Sequence, residues 1–224
     1  MMSMGDLHNA LHGVVCPLCQ YAGDAVRVSG PDTRHYYECS RCRLIFVLPG
    51  EYPDADREKQ RYLAHQNTET NRGYVQFLEQ AIDPALPFLR AGDHGLDYGC
   101  GPHPTLSGLM GERGWMCDNY DPFFYPELPA VSYDYIFATE CIEHFFFPHR
   151  DFGQMLQWLK PGGILTLLTG MWQSHAQFAT WSYARDFTHV CFYHPQTMRH
   201  LAESLHLTML YNDERRVCVL KKKV

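Results

Sequence analysis

The stretch that most constrains this 224-residue chain is Leu96-Asp97-Tyr98-Gly99-Cys100-Gly101. An acid and two alternate glycines close a short apolar segment, and a helical pattern through Leu106, Leu109 and Met110 follows. Glycine at a strand-to-helix turn takes positive φ and admits a ligand where a side chain would block it. Twenty residues beyond Gly101, Asp121 ends a second strand predicted over 115–120, where a carboxylate accepts hydrogen bonds from a ribose. A dinucleotide fingerprint needs a third glycine at position 104. Pro104 stands there instead, after Pro102 and His103, and removes an amide that a pyrophosphate would use. The expected ligand has a ribose and an adenine but no diphosphate.

Ahead of this turn, Cys16-Pro-Leu-Cys19 and Cys39-Ser-Arg-Cys42 form two Cys-x2-Cys pairs separated by 19 residues. Each pair folds into a tight turn that points two thiolates at one tetrahedral ion, which is a zinc-ribbon pattern. Short strands are expected at 25–28, 35–37 and 44–48. The alternatives, a redox dithiol or disulfides, are disfavoured in a reducing compartment. Four thiolates leave no open position, so Cys16, Cys19, Cys39 and Cys42 are expected to hold a structural Zn2+. The other five of the nine cysteines stand singly in apolar contexts and read as small buried residues.

A net charge of −6 argues against a broad polyanion-binding surface. No apolar run approaches membrane-spanning length, and residues 1–12 lack the charged-then-apolar order of a signal peptide, so a cytoplasmic location without a membrane partner is expected. Alternating strand and helix patterns predict an α/β fold with a doubly wound, mostly parallel sheet. We divide the chain into a zinc ribbon (1–50), linker and helices (51–90) and an α/β domain (91–224). Only twelve residues, 122–133, separate Asp121 from the next apolar strand, too few for both a helix and a strand, so a six-stranded sheet, or one with a vestigial third strand, is expected. A helix through Phe152, Met155, Leu156 and Leu159 is expected to end at Pro161-Gly162-Gly163, before a strand over 164–169. A terminal hairpin is expected at 208–211 and 217–220, and the basic 221–223 end is read as solvated.

With Asp97, Gly99 and Gly101 in place, the chain resembles the class I S-adenosylmethionine-dependent methyltransferases, whose first motif reads Asp/Glu-x-Gly-x-Gly-x-Gly. It departs at the last position, where His103 replaces glycine. The Leu-Lys-Pro-Gly-Gly run before an aliphatic strand, and Glu140-Cys-Ile-Glu143-His144 after the 134–139 strand, add to the resemblance. It implies a Rossmann-like fold that binds S-adenosylmethionine and releases S-adenosylhomocysteine. The implied cofactor contacts are Asp97, Gly99, the Cys100 backbone, Gly101, Asp121, Pro122, Phe123, Thr139 and Tyr74, with Tyr62 or His65 as further residues of the covering helix. His144 and His189 are the candidate bases, since imidazole titrates near neutrality. Arg185, in the aromatic 171–193 stretch expected to face the substrate, is a candidate for holding an anionic group, or else pairs with Asp186. The implied reaction is methyl transfer to a small-molecule acceptor, sugar-like or quinol-like. The alternatives are an RNA methyltransferase, which the acidic balance disfavours, and a non-catalytic S-adenosylmethionine-binding adaptor.

Overall fold

The apolar run Tyr133–Thr139 is buried along nearly its whole length, as befits a strand at the centre of a sheet covered on both faces. The computed structural model describes residues 10–64, 67–128 and 131–224. The first elements are β1 (Ala10–Val15), β2 (Ala22–Val28), β3 (Tyr36–Cys39), β4 (Ile45–Val47), α1 (Ala55–Leu63) and α2 (Arg72–Ala85). Then come β5 (His94–Tyr98), α3 (Thr105–Glu112), β6 (Met116–Tyr120), β7 (Tyr133–Thr139), α4 (Pro148–Trp158) and β8 (Leu159–Leu168). The chain ends with α5 (His175–Phe178), β9 (Cys191–Phe192), α6 (Pro195–Ser204), β10 (Leu207–Asn212) and β11 (Val217–Lys222).

The main sheet has six strands in the order β10-β11-β8-β7-β5-β6. Strands β6, β5, β7 and β8 run parallel, and β11 and β10 close one edge antiparallel. Side chains of β7 alternate between two cores. Tyr135 and Phe137 pack with Leu78 and Ile82 of α2 and with Leu106 and Met110 of α3. Ile136 and Ala138 pack with Phe152 and Met155 of α4 and with Met198 and Leu201 of α6. The sheet is therefore doubly wound. The segment between Asp121 and β7 adds no strand to it among the described residues, only a bridge between Asp121 and Tyr125.

The cysteine-bearing strands make a second sheet in the order β1-β2-β3-β4-β9. Its last strand comes from far along the chain: Ile45 pairs with Phe192 and Phe46 with Cys191. Phe178 and Phe192 both pack on Tyr36, with ring centroids 5.2 and 5.8 Å away. One continuous core thus runs from Cys16 and Leu44 through to Leu165 and Leu201.

Three expectations are corrected here. Helix α4 stops at Trp158, and Leu159 already pairs with Tyr133 in β8. The Pro161-Gly162-Gly163 run bulges out of that strand, where the register slips between Tyr133 and Tyr135 and Gly162 takes φ +78°. A proline lacks the ladder N–H, so a bulge is where a strand tolerates it. The 171–193 stretch is divided: Trp172 and Phe178 are fully buried in the core, while Trp181, Tyr183, Arg185, Asp186 and His189 line a cavity. The basic terminus is not merely solvated either. Lys222 Nζ donates to the Leu156 and Leu159 carbonyls at 2.6 and 2.7 Å, capping the α4 C-terminus, where a cation is favoured. No helix among the described residues is long and apolar enough to cross a membrane.

Candidate active site

The turn after β5 is shaped by its glycines. Gly99 takes φ +76° and donates its N–H to the Tyr120 carbonyl at 2.8 Å. A Cβ there would lie 2.6 Å from Cys141 Cβ, so no side chain fits. Gly101, at φ +67°, has open space where a Cβ would point. Asp121 locks this turn to β6: Oδ2 accepts from the Gly101 N–H at 3.0 Å, and Oδ1 from the Phe123 and Phe124 N–H groups at 2.8 and 3.2 Å. A carboxylate has about four acceptor positions, so three amides leave room for a hydroxyl. Asp97 is buried behind the turn, with no hydrogen-bond partner for Oδ1 among the described residues. Burial, and then the neighbouring Asp121 charge, push its pKa up to about 7.

The turn borders a cleft of 580 Å³. Gly99, Cys100, Gly101, Asp121, Pro122 and Phe123 line it, and so do Tyr74 and Thr139. Tyr74 is placed by the α2 N-cap, where Asn71 Oδ1 accepts the Tyr74 N–H at 3.2 Å. Tyr62 reaches the same cleft from α1; His65 lies outside the described residues. The lining carries Glu58, Asp121, Glu140, Glu143 and Asp151, with no lysine or arginine among the described residues. Such a surface attracts cations and repels polyanions.

At the C-terminal end of β7 the chain is strained. Glu140 takes φ +47°, a conformation that non-glycine residues hold mainly where function or tight packing demands it. Glu143 is fully buried: Oε2 accepts from Thr169 Oγ1 at 2.8 Å, while Oε1 has no hydrogen-bond partner among the described residues. Its pKa is pushed up to about 7 by burial, against the opposing hydrogen bonds of Tyr183 and Thr169. Burial, then the Glu143 charge, hold Glu140 well above the usual carboxylate range. Both candidate histidines line the cleft, their ring centroids 4.7 Å apart. His189 is pushed well below the usual range by burial and then by His144, which makes it a weak base.

Arg185 is not in this cleft. It lines a second cavity of 540 Å³ with Arg61 and Arg216, and Glu140 and His189 belong to both cavities. Asp186 pairs with Arg61 at 2.7 Å rather than with Arg185. Arg34, from the ribbon's β2–β3 turn, fixes this loop: its guanidinium donates to the Ala184, Asp186, Phe187 and His189 carbonyls. Sequence reasoning missed Arg34, Arg61 and Arg216, since only the fold brings them near the 184–189 loop. Glu58 and Tyr62 carried a usable signal, an i, i+4 pair on one helix face.

In the ribbon, the sulfurs of Cys16, Cys19, Cys39 and Cys42 all lie within 4.8 Å of one another. Cys16 Sγ is 3.6 Å from Cys42 Sγ, and Cys19 Sγ is 3.6 Å from Cys39 Sγ. A disulfide needs about 2.05 Å. Thiolates on a tetrahedral zinc with bonds of about 2.3 Å stand about 3.8 Å apart. The thiol cluster fits the ion and not the cross-link. Of the remaining cysteines, Cys100, Cys141, Cys191 and Cys218 are buried, and Cys117 is partly so.

Comparison with curated proteins gave no sequence match. Among solved structures, the plantazolicin methyltransferase bound to a monoazolic analogue and S-adenosylhomocysteine is 14% identical, with 75% of this chain and 91% of that one covered and a TM-score of 0.49. Magnesium protoporphyrin IX methyltransferase from Synechocystis PCC 6803 is 13% identical, with coverage of 75% and 93% and a TM-score of 0.46. An S-adenosylmethionine-dependent methyltransferase from Thermotoga maritima is 15% identical, with coverage of 75% and 96% and a TM-score of 0.46. A family model described as a methyltransferase domain matches residues 63–212, from the end of α1 to the end of β10, and with the glycine turn, the acid after β6 and all of the cleft lining but Glu58 and Tyr62 inside that span, the chain belongs to this methyltransferase family.

Proposed function

We propose that the protein transfers a methyl group from S-adenosylmethionine to a small, anionic, hydroxyl-bearing acceptor. The observation that carries this reading is the acidic cleft at the glycine turn, with the unpartnered Asp97 Oδ1 buried behind it. A ligand with a sulfonium and an ammonium fits such a surface, and an RNA backbone does not. In this reading the Gly99-Cys100-Gly101 backbone and Tyr74 hold the amino-acid half, with Asp97 supplying charge from behind. Asp121 takes the ribose, Pro122 and Phe123 face the adenine, and Thr139 lines the floor. When bound, the cofactor supplies an electrophilic methyl on sulfur.

The chain then has to orient the acceptor, exclude water and receive a proton. Tyr62, Phe145, Phe146 and Phe147 line the cleft with aromatic surface, which favours water exclusion. The arginine-lined second cavity offers Arg185, with Arg61 and Arg216, to an anionic group of the acceptor. Glu140 faces both cavities, and a carboxylate with a raised pKa is a stronger base than a free one. The ribbon's thiols, in the same proposal, hold a structural zinc that supplies stability rather than chemistry.

Calorimetric titration with S-adenosylhomocysteine, run beside labelled-methyl transfer to a panel of hydroxylated carboxylates and phosphates and to total RNA, tests this reading. Binding to the wild type, weakened about 100-fold or more in Asp121→Ala, is expected, since a hydrogen bond to a charged group is worth about 1.5–3 kcal/mol and the turn loses its lock as well. Equal affinity in wild type and variant, or label appearing in RNA alone, would defeat it.

A further inference from the structure

The polar end of the cleft holds an arrangement that proton transfer leaves unexplained. A Glu143 oxygen and one ring nitrogen from each of His144 and His189 lie within 4.8 Å of one another. His144 Nδ1 is 3.1 Å from the Thr188 carbonyl oxygen, and His189 Nδ1 is 2.8 Å from that of Tyr183. A carbonyl only accepts, so Nδ1 is the donor in both rings, the arrangement in which a neutral imidazole carries its lone pair on Nε2. His144 Nε2 stands 4.0 Å from Glu143 Oε1, a buried oxygen with no hydrogen-bond partner among the described residues. Two imidazole nitrogens and one carboxylate oxygen thus converge.

We propose that Glu143, His144 and His189 bind a divalent transition-metal cation whose remaining coordination positions open into the cleft. Two histidines and one carboxylate on one side of an ion suit manganese, iron, cobalt, nickel or zinc and leave places for exchangeable ligands. The carbonyls of Thr188 and Tyr183 do what outer partners of metal-bound imidazoles do: they fix the tautomer and aim the other nitrogen. Thr169 does the same for Glu143 by engaging Oε2 and leaving Oε1. Donors on an ion with bonds of about 2.1 Å stand about 3.4 Å apart in a tetrahedral shell, so the cluster contracts by roughly 1 Å on loading. All three residues line the 580 Å³ cleft, so the ion meets an acceptor there rather than sitting sealed in the core.

The role of the ion, though not its binding, rests on the methyl-transfer reading. An acceptor hydroxyl held at the cation would give its proton to Glu140. S-adenosylmethionine, when bound, would supply the methyl: the new oxygen–carbon bond would form as the sulfur–carbon bond breaks, with its electron pair left on sulfur. The chemistry selects an acceptor oxygen, and an acceptor with a second oxygen nearby would chelate.

Equilibrium dialysis of the full chain carrying one zinc per chain against Mn2+ and, separately, Co2+, read by elemental analysis, tests the site. One ion per chain beyond the ribbon zinc is expected. Glu143→Gln and His144→Ala should each weaken uptake by about tenfold or more while leaving S-adenosylhomocysteine affinity within about threefold. No extra uptake of either ion, or uptake unchanged in both variants, overturns the proposal. Uptake by a wild-type protein that fails to bind S-adenosylhomocysteine would instead sink the methyl-transfer reading and leave the metal site standing.

Discussion

The four ribbon thiols and the Glu143–His144–His189 cluster are both ligand-capable, and they differ in closure. The thiols come as two local pairs, converge from within one small sheet, and form a complete donor set. The cleft cluster draws on the end of β7 and a loop 45 residues later, holds a buried oxygen with no partner, and borders open space. A closed set lowers the energy of its surroundings when filled, whereas an open one keeps unmet polar capacity in reserve for a ligand. Substitution should therefore destabilise the first region and can stabilise the second.

The largest effect is expected at the closed site. Cys39→Ser removes one of the four thiols proposed to hold zinc, and structural zinc contributes about 10–16 kcal/mol of apparent binding energy in small peptides. Because the ribbon shares a core with the main sheet, the loss should reach the whole molecule. Scanning calorimetry should show a fall in Tm of roughly 10 °C or more, from about 4 kcal/mol, with zinc lost by elemental analysis. Stoichiometric zinc, or an unmoved Tm, would break the contrast at its first term.

Behind the glycine turn that borders the same cleft, the sign should reverse. The Asp97 pKa stands at about 7 because of burial and Asp121, above its ordinary 3.8. Between those values the folded state binds more protons than the unfolded one, so stability is full below about pH 4 and falls as pH rises through about 7. The loss amounts to about 4 kcal/mol at most. Asp97→Asn cannot ionise. Denaturant titrations should find it more stable than wild type at pH 8 and alike at pH 4, while calorimetry finds its S-adenosylhomocysteine affinity reduced. A variant less stable than wild type at pH 8 would show that Asp97 supports the fold rather than a ligand.

How far each region could be read from sequence follows the same division. The thiol pairs are local, so spacing alone located them, and the glycine turn with Asp121 could be recognised because strand, turn and helix follow one another directly. The last ribbon strand could not be, since Cys191 and Phe192 join that sheet only through pairing with β4. The 171–193 stretch misled in part, and for a physical reason: Trp172 and Phe178 look like a binding surface but pack the seam between the two sheets, whereas Trp181, Tyr183 and Arg185 do line a cavity. Arg61 and Arg216 reach the second cavity from α1 and from the turn before β11, and no local pattern announces either.

A smaller effect should link the two regions. Arg34 belongs to the ribbon, yet its guanidinium, 12% exposed, binds four carbonyls of the loop that carries His189. Arg34→Met keeps the aliphatic stem and removes the donors, at a cost of about 1–3 kcal/mol for buried acceptors left unmet. Zinc should stay at one per chain while uptake of Mn2+ at the cleft weakens. Coordinated loss of both metals would mean that the regions are one unit rather than two coupled ones.

The smallest effect is expected at Arg185, which lines the second cavity but belongs to neither cluster. Asp186 is already matched by Arg61, so Arg185 brings a charge that the local ion pairing does not use. Arg185→Ala should leave Tm and S-adenosylhomocysteine affinity unchanged. The KM for an anionic acceptor should rise by about tenfold, close to 1.4 kcal/mol, with kcat little altered, because a contact made equally in ground and transition states affects binding alone. A fall in kcat at constant KM would move Arg185 from holding the acceptor to stabilising charge in the transfer itself, and the open region would then extend across Glu140 into the arginine-lined cavity.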